Sequence, residues 1–150
     1  MRDIVVIGYG NSLLQDDGFG PAVVERLSDR VSDDRVKLLS VSTLTPELAA
    51  TLADTRCVIF VDACATLLPG EVALRYIGCD THSDVSLVHF LSPEALLVWT
   101  QRLYGHVPNA ELWLVGTEQT GLSESLSETV AGRVDEFVLA LEARITAQVS

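Results

Sequence analysis

The stretch from Gly8 to Gly20 holds the densest set of residues that could do chemistry. It contains four glycines and the adjacent acids Asp16 and Asp17. Glycines let the backbone take positive φ angles and let other groups approach closely. A dinucleotide site is one possibility, but its fingerprint needs a third glycine where Leu13 stands, and two acids would repel a pyrophosphate. The simpler interpretation of the acidic pair is a solvated turn with a helix N-cap.

A third acid, Asp62, favours a functional role for the acidic pair over a solvated turn. It follows the apolar run Cys57–Val61, which predicts a strand buried on both faces, so Asp62 is expected just beyond a carboxyl end. In open parallel sheets, ligands bind at that edge, where the strand order reverses. If the first strand neighbours Cys57–Val61, as in a 2-1-3 order, Asp17 and Asp62 face one crevice. Two converging carboxylates suit a cation or the sharing of a proton.

Three histidines could supply a third group: His82, His89 and His106. His82 and His106 lie in polar stretches and are predicted to be solvated. His89 stands between Val88 and Phe90, where a hydrogen-bonded packing histidine is the commoner case. Together with two carboxylates, however, it would complete a set that suits nickel, zinc or non-haem iron and leaves coordination positions open.

The sequence contains no established nucleophile motif. It has neither a Gly-x-Ser-x-Gly elbow nor a His-Glu-x-x-His helix. Cys64 follows Asp62 by two residues, but no activating base is evident, so we interpret it as structural. With Cys57 and Cys79 it forms no Cys-x-x-Cys pair, which indicates a reducing compartment and no cysteine zinc site.

Composition narrows the classes of function. The chain has 150 residues, 48% of them hydrophobic, so we expect one domain with a substantial core. Its net charge of −11 argues against a nucleic-acid partner. The apolar runs are far shorter than the ~20 residues of a membrane span. The first residues lack the features of a secretory signal, so a cytoplasmic protein is expected.

Strand-like and helix-like segments alternate along the chain, which predicts an α/β fold. We expect a three-layer α/β/α sandwich around a mostly parallel five-stranded sheet. The expected strands are Ile4–Ile7, Val36–Val41, Cys57–Val61, Val72–Ile77 and Leu112–Val115. The four expected helices begin at Gly20, at Thr45 with its hydroxyl as N-cap, at Ser92, and at about Ser127.

The segment Ile4–Gly20, which reads IVVIGYGNSLLQDDGFG, resembles the N-terminal signature of hydrogenase maturation proteases, Gly-x-Gly-Asn-x-Leu-x-x-Asp-Asp/Glu-x-x-Gly. The strand end Phe60–Ala63 resembles the second conserved block of that family, and Val88–Gly105 resembles the third. The similarity covers nearly the whole chain. It therefore implies a single hydrogenase maturation protease-like domain over residues 1–150.

The resemblance implies an endopeptidase that removes the C-terminal extension of a nickel-loaded hydrogenase large-subunit precursor. The family's metal-binding residues fall on Asp17, Asp62 and His89, and Asp16 is the alternative to Asp17. It also implies that the precursor supplies the nickel, which the enzyme alone would bind only weakly. Asp17 or Asp62 would then be the catalytic general base that activates a water.

Residues Val41–Leu48 depart from the Gly-Gly-Thr that many members carry after the second strand. This variant resembles the subset that serves NAD-linked, bidirectional hydrogenases. The expected partner is the large-subunit precursor, and the expected oligomeric state is a monomer. Two other functions stay open: a non-proteolytic metal-sensing binding module, and a zinc-dependent amidohydrolase on small substrates.

Overall fold

A five-stranded sheet forms the middle layer of the protein. The structure is a computed structural model that describes residues 1–79 and 91–150. The strands are β1 (Arg2–Tyr9), β2 (Val36–Val41), β3 (Thr55–Cys64), β4 (Val72–Ile77) and β5 (Asn109–Gly116). They lie in the order β2-β1-β3-β5-β4, and only β4 runs antiparallel to its neighbour. The predicted mostly parallel five-stranded sheet is confirmed, and β1 and β3 are neighbours, as in a 2-1-3 order.

Helices cover both faces of this sheet. They are α1 (Phe19–Ser28), α2 (Leu48–Ala53), α3 (Pro93–Tyr104), α4 (Glu128–Ala131) and α5 (Val134–Val149), with a short 3-10 turn at Gln15–Gly18. Helices α1 and α5 pack on one face, and α2 and α3 pack on the other. The predicted three-layer sandwich is therefore confirmed. In the part of the chain that the structure describes, no helix is long and apolar enough to cross a membrane.

The central strands explain the continuous apolar runs in the sequence. Ile4 and Val6 enter the core under α1 and α5, whereas Val5 and Ile7 enter the core under α2 and α3. All four side chains are fully buried. Since alternate side chains point to opposite faces, a strand covered on both sides needs an apolar residue at every position.

Helix α3 has the predicted ends. The Ser92 hydroxyl accepts a hydrogen bond from the Ala95 N–H at 3.1 Å, which satisfies one of the free donors of the first turn. Gly105 ends the helix with a φ of 71°, a left-handed conformation that glycine adopts at little cost.

Two predicted helix boundaries are wrong. The second helix begins at Leu48, and the Thr45 hydroxyl donates to the Glu47 carboxylate at 3.1 Å and does not cap the helix. The expected single C-terminal helix is divided into α4 and α5 at Gly132 and Arg133. Glycine has a low helix propensity, and the Arg133 guanidinium is held by the Gly70 carbonyl at 2.9 Å.

Gly20 allows the start of α1 to lie directly against the sheet backbone. A Cβ atom at this position would be 2.3 Å from the Val61 carbonyl oxygen and 2.8 Å from the Tyr9 nitrogen. These neighbours are backbone atoms of β3 and β1, which cannot move aside as a side chain could. The glycine therefore fixes how closely the acidic loop approaches the ends of both strands.

We expect Gly20→Ala to lower the free energy of unfolding by about 3 kcal/mol, because the added methyl group must displace sheet backbone. Gly78→Ala is the matched control, since a Cβ atom there meets no described residue within 4 Å. It should change stability by no more than about 0.5 kcal/mol. Urea denaturation of both variants measures the difference, and equal stabilities would contradict the packing argument.

Candidate functional site

The adjacent acids of the first loop point in different directions. Asp16 is fully buried, and its carboxylate accepts four hydrogen bonds. The donors are the N–H groups of Glu118, Gln119 and Ser127, each at 2.8 Å, and the Ser127 hydroxyl at 2.9 Å. Burial alone would raise the pKa of Asp16, but these donors hold it below its usual value. The solvated turn expected for this acid is wrong, because Asp16 joins the first loop to the segment after β5.

Asp17, in contrast, faces a surface cleft. It is half-buried, and its carboxylate accepts the Asn11 N–H at 2.7 Å. Gly10 makes this fold of the loop possible: its φ is +143°, and a Cβ atom there would lie 1.9 Å from the Asp17 carbonyl oxygen. The glycine and the backbone donor therefore hold the Asp17 carboxylate in place at the cleft wall.

Asp62 lies within β3. The expected position just beyond the end of the strand is therefore wrong. The strand continues because Asp62–Cys64 pairs with Leu114–Gly116 of β5. On the other side, the ladder between β1 and β3 ends at Gly8 and Val61. Asp62 is therefore the first residue of β3 beyond the part that pairs with β1. The end of this pairing leaves the sheet open on the β1 side of the Asp62 carboxylate.

The surroundings of Asp62 favour its neutral form. Burial raises its pKa from 3.8 to about 7, and the nearby charge of Asp17 adds to this effect. The Ala63 N–H and the Tyr9 hydroxyl donate to the carboxylate and oppose the rise. Burial and the Asp62 charge in turn raise the pKa of Tyr9, so its phenol stays a donor. The Tyr9 ring packs edge-on against Phe60, with centroids 6.4 Å apart.

A cleft of about 510 Å³ brings these groups together. It is lined by Tyr9, Gly10, Asn11, Leu14, Asp17, Ser42, Thr43, Leu44, Asp62 and Leu91. It lies at the carboxyl edge of β1, where the strand order reverses and ligands of α/β proteins usually bind. The structure thus brings Asp17 and Asp62 to one cleft, as predicted, and we name it the aspartate cleft.

The third predicted group, His89, lies outside the described residues, as does His82. Within residues 1–79 and 91–150, no three His, Cys, Asp or Glu side chains form a group that could hold a metal ion. The described part of the aspartate cleft therefore offers two carboxylates. Such a pair can bind a cation or exchange a proton with a water.

Two other residues from the sequence analysis lie elsewhere. His106 is half-buried, and its Nε2 lies 3.1 Å from the carbonyl oxygen of Thr55, the first residue of β3. It is therefore at the opposite end of the sheet from the cleft, and its expected solvation is wrong. The Cys64 sulfur lies 2.9 Å from the Thr66 hydroxyl and is not part of the cleft lining.

Tyr9 is the site residue that sequence reasoning missed. It occupies the variable position of the Gly-x-Gly motif, so the motif drew no attention to it. The available signal was its place as the last residue of β1, where a phenol can have its ring packed in the core and its hydroxyl at the sheet edge.

Solved structures similar to this chain include hydrogenase maturation proteases. The hydrogenase maturating endopeptidase HybD from E. coli is 26% identical, with a TM-score of 0.79 over 98% of this chain and 93% of that one. The nickel–iron hydrogenase maturation protease HycI from Thermococcus kodakarensis KOD1 is 26% identical, with a TM-score of 0.76 over 93% and 89%. A hydrogenase 2 maturation peptidase from a Thaumarchaeota archaeon is 30% identical, with a TM-score of 0.70 over 95% and 97%. No protein-family model and no curated protein matches the chain.

The two neighbouring acids should differ in their effect on stability. Asp16→Asn should lower the free energy of unfolding by about 3 kcal/mol or more, because the amide loses the charge and turns donors toward donors. Asp17→Asn should change it by less than about 1 kcal/mol, since this carboxylate has one backbone donor and faces the cleft. Urea denaturation of both variants tests the assignment, and the reverse order would contradict it.

The stability of the free protein should also depend on the protonation of Asp62. Since its pKa rises from 3.8 to about 7 on folding, the folded state binds more protons between these values. The contribution of Asp62 to stability therefore falls as pH rises through this window and is lowest above it. At pH values above neutral, Asp62→Asn should raise the thermal midpoint. Near pH 3.8, the lower end of this window, the substitution should have little effect. A difference between variant and wild type that stays constant with pH would contradict this.

Proposed function

This chain belongs to the hydrogenase maturation protease family, and we propose that it removes the C-terminal extension of a nickel-loaded hydrogenase large-subunit precursor. The observation that carries the proposal is the meeting of Asp17 and Asp62 in one cleft at the reversal of strand order. The two acids come from different elements of the fold. Their proximity at a site where ligands bind supports a functional role and not only a structural one.

We further propose that Asp17, Asp62 and His89 recognise the nickel of the precursor. Leu91 lines the aspartate cleft and follows His89 by two residues in the sequence, which supports this assignment. Two carboxylates and one imidazole hold nickel weakly without a thiolate. A nickel ion already held by the precursor would complete its coordination shell in this cleft. The enzyme would therefore bind only a loaded precursor tightly.

Peptide hydrolysis at this site would use a carboxylate as general base. Asp17 or Asp62 would take a proton from a water that attacks the peptide carbonyl. Tyr9 supports this arrangement, because its hydroxyl donates to Asp62 and limits the orientations of that carboxylate. Coordination of the nickel requires ionised carboxylates, so binding of the precursor would also release protons.

The choice of hydrogenase would be decided at the far wall of the cleft. Ser42, Thr43 and Leu44 line it, and they belong to the segment Val41–Leu48, where many family members carry Gly-Gly-Thr. The side chains of Ser42 and Thr43 carry two hydroxyl groups, and Leu44 provides apolar surface. We propose that this wall suits the large subunit of an NAD-linked, bidirectional hydrogenase.

Incubation of the purified protein with nickel-loaded precursor, followed by mass spectrometry, should show loss of the extension. Asp17→Asn and Asp62→Asn should each slow cleavage by about 100-fold or more, as expected for removal of a general base or a metal ligand. His89→Ala should weaken binding of the loaded precursor and leave the poor binding of the empty one unchanged. His106→Gln is the matched histidine control, because this ring lies at the other end of the sheet, and it should cleave normally.

Other outcomes separate the alternatives. Tight binding of the loaded precursor without cleavage would identify a metal-sensing binding module. Stoichiometric zinc together with turnover of small amides would identify an amidohydrolase. Efficient trimming of a nickel-free precursor would overturn the recognition of nickel, although the peptidase would survive. Free nickel added to enzyme and empty precursor should not produce cleavage.

A further inference from the structure

The strand β2 has one free hydrogen-bonding edge. It pairs with β1 on one side, and no strand among the described residues pairs with it on the other. The carbonyls of Arg35 and Val41 accept hydrogen bonds from the β1 side, at 3.0 and 3.1 Å. Because successive residues of a strand direct their N–H and C=O groups to alternate sides, those of Leu38 and Ser40 point away from the sheet. A free edge of this kind is a template for another strand.

A cavity of about 560 Å³ lies beside this edge. Leu38 and Ser40 line it, Val24 and Leu126 add apolar surface, and Glu25 and Glu124 add carboxylates. We call this cavity the edge groove.

The edge groove adjoins the aspartate cleft. The loop between β1 and α1 separates them: Ser12 and Gly18 line the groove, whereas Asn11 and Asp17 line the cleft. The chain that leaves β2 also continues from one to the other, since Ser40 lines the groove, and Ser42 and Thr43, two and three residues later, line the cleft. An extended peptide can therefore follow the edge of β2 directly to the two carboxylates.

We infer that the edge groove binds the C-terminal extension of the precursor as an added strand, antiparallel to β2. This inference rests on the proposed function. The folded body of a large subunit is too large for the groove and must stay at the mouth of the aspartate cleft. The residues after the scissile bond then leave the cleft along β2, from its carboxyl end toward its amino end. Backbone pairing of this kind gives affinity without demanding a particular sequence.

The charges of the groove select the chemistry of this occupant. Glu25 and Glu124 are exposed, and the described lining contains no basic residue. The chain as a whole carries a net charge of −11, which would repel an acidic peptide. The fitting occupant is an extended segment with at least one basic side chain, and its binding should weaken as salt rises.

Ser40→Pro tests the added strand, because proline removes the outward N–H while an edge strand tolerates the ring there. The KM for the nickel-loaded precursor should rise about three- to tenfold, the effect of one lost hydrogen bond, with kcat nearly unchanged. Ser40→Ala keeps the N–H and is the matched reference, so the effect of the lost N–H is the ratio of the KM values of the proline and alanine variants. Equal KM values for the two variants, with matched thermal midpoints, would overturn the inference.

A second measurement leaves the enzyme unchanged. Single prolines placed along the extension of the precursor should raise KM at every second position, because only alternate residues of the added strand turn their N–H groups toward β2. Effects without this period would overturn the added strand, although cleavage by the wild-type enzyme would leave the proposed function standing. Failure of wild-type enzyme to cleave any loaded precursor would instead reject the proposed function.

The charge argument has its own variant. Glu25→Gln combined with Glu124→Gln should raise KM and reduce its dependence on salt. An unchanged KM and salt dependence would overturn the choice of a basic extension as the occupant.

Discussion

The buried carboxylate of Asp16 is the interaction on which the site depends. Three backbone N–H groups and one hydroxyl converge on it from the segment after β5. The same Ser127 whose hydroxyl donates to Asp16 begins α4, so one carboxylate connects the first loop to the start of the last helices. A buried charge with four donors is stable where it lies and costly to displace. The hydrogen bonds to Asp16 thus fix the loop that carries Asp17. The Asp17 side chain can therefore face the cleft without itself supporting the fold.

The two ends of the sheet have different electrostatic characters. At the amino end, the buried Glu111 accepts from Arg144 at 2.6 Å and from the Trp113 indole at 3.1 Å, so its charge is fully compensated. At the carboxyl end, Asp62 has a backbone N–H and a phenol as donors and another carboxylate, Asp17, nearby. The arrangement around Glu111 stabilises the fold, whereas the arrangement around Asp62 raises the free energy of the ionised pair Asp17 and Asp62. A site that gains stability only when a cation or a proton arrives is suited to recognise a ligand.

The topology explains why the cleft and the edge groove meet. With β1 between β2 and β3, the connections leave the sheet in opposite directions and open the crevice that Asp17 and Asp62 share. Because β2 is also an outermost strand of the sheet that the structure describes, the same crevice continues onto a free strand edge. A chemical site and a surface for an extended peptide therefore arise from one feature, the position of β2. A further strand paired with β2 would remove the surface for an extended peptide and would leave the chemical site unchanged.

The sequence by itself determined the features that depend on neighbours along the chain. Continuous apolar runs indicated β1 and β3, Ser92 and Gly105 indicated the ends of α3, and the fold class followed from the alternation of elements. Asp17 and Asp62 could be chosen as a pair because both follow apolar runs that predict buried strands. The tertiary structure alone decided which of Asp16 and Asp17 is buried, since the donors that hold Asp16 are more than 100 residues away along the chain. It also decided that Tyr9 donates to Asp62 and that β2 has a free edge. These properties depend on which distant groups meet, and no local pattern of residue types contains that information.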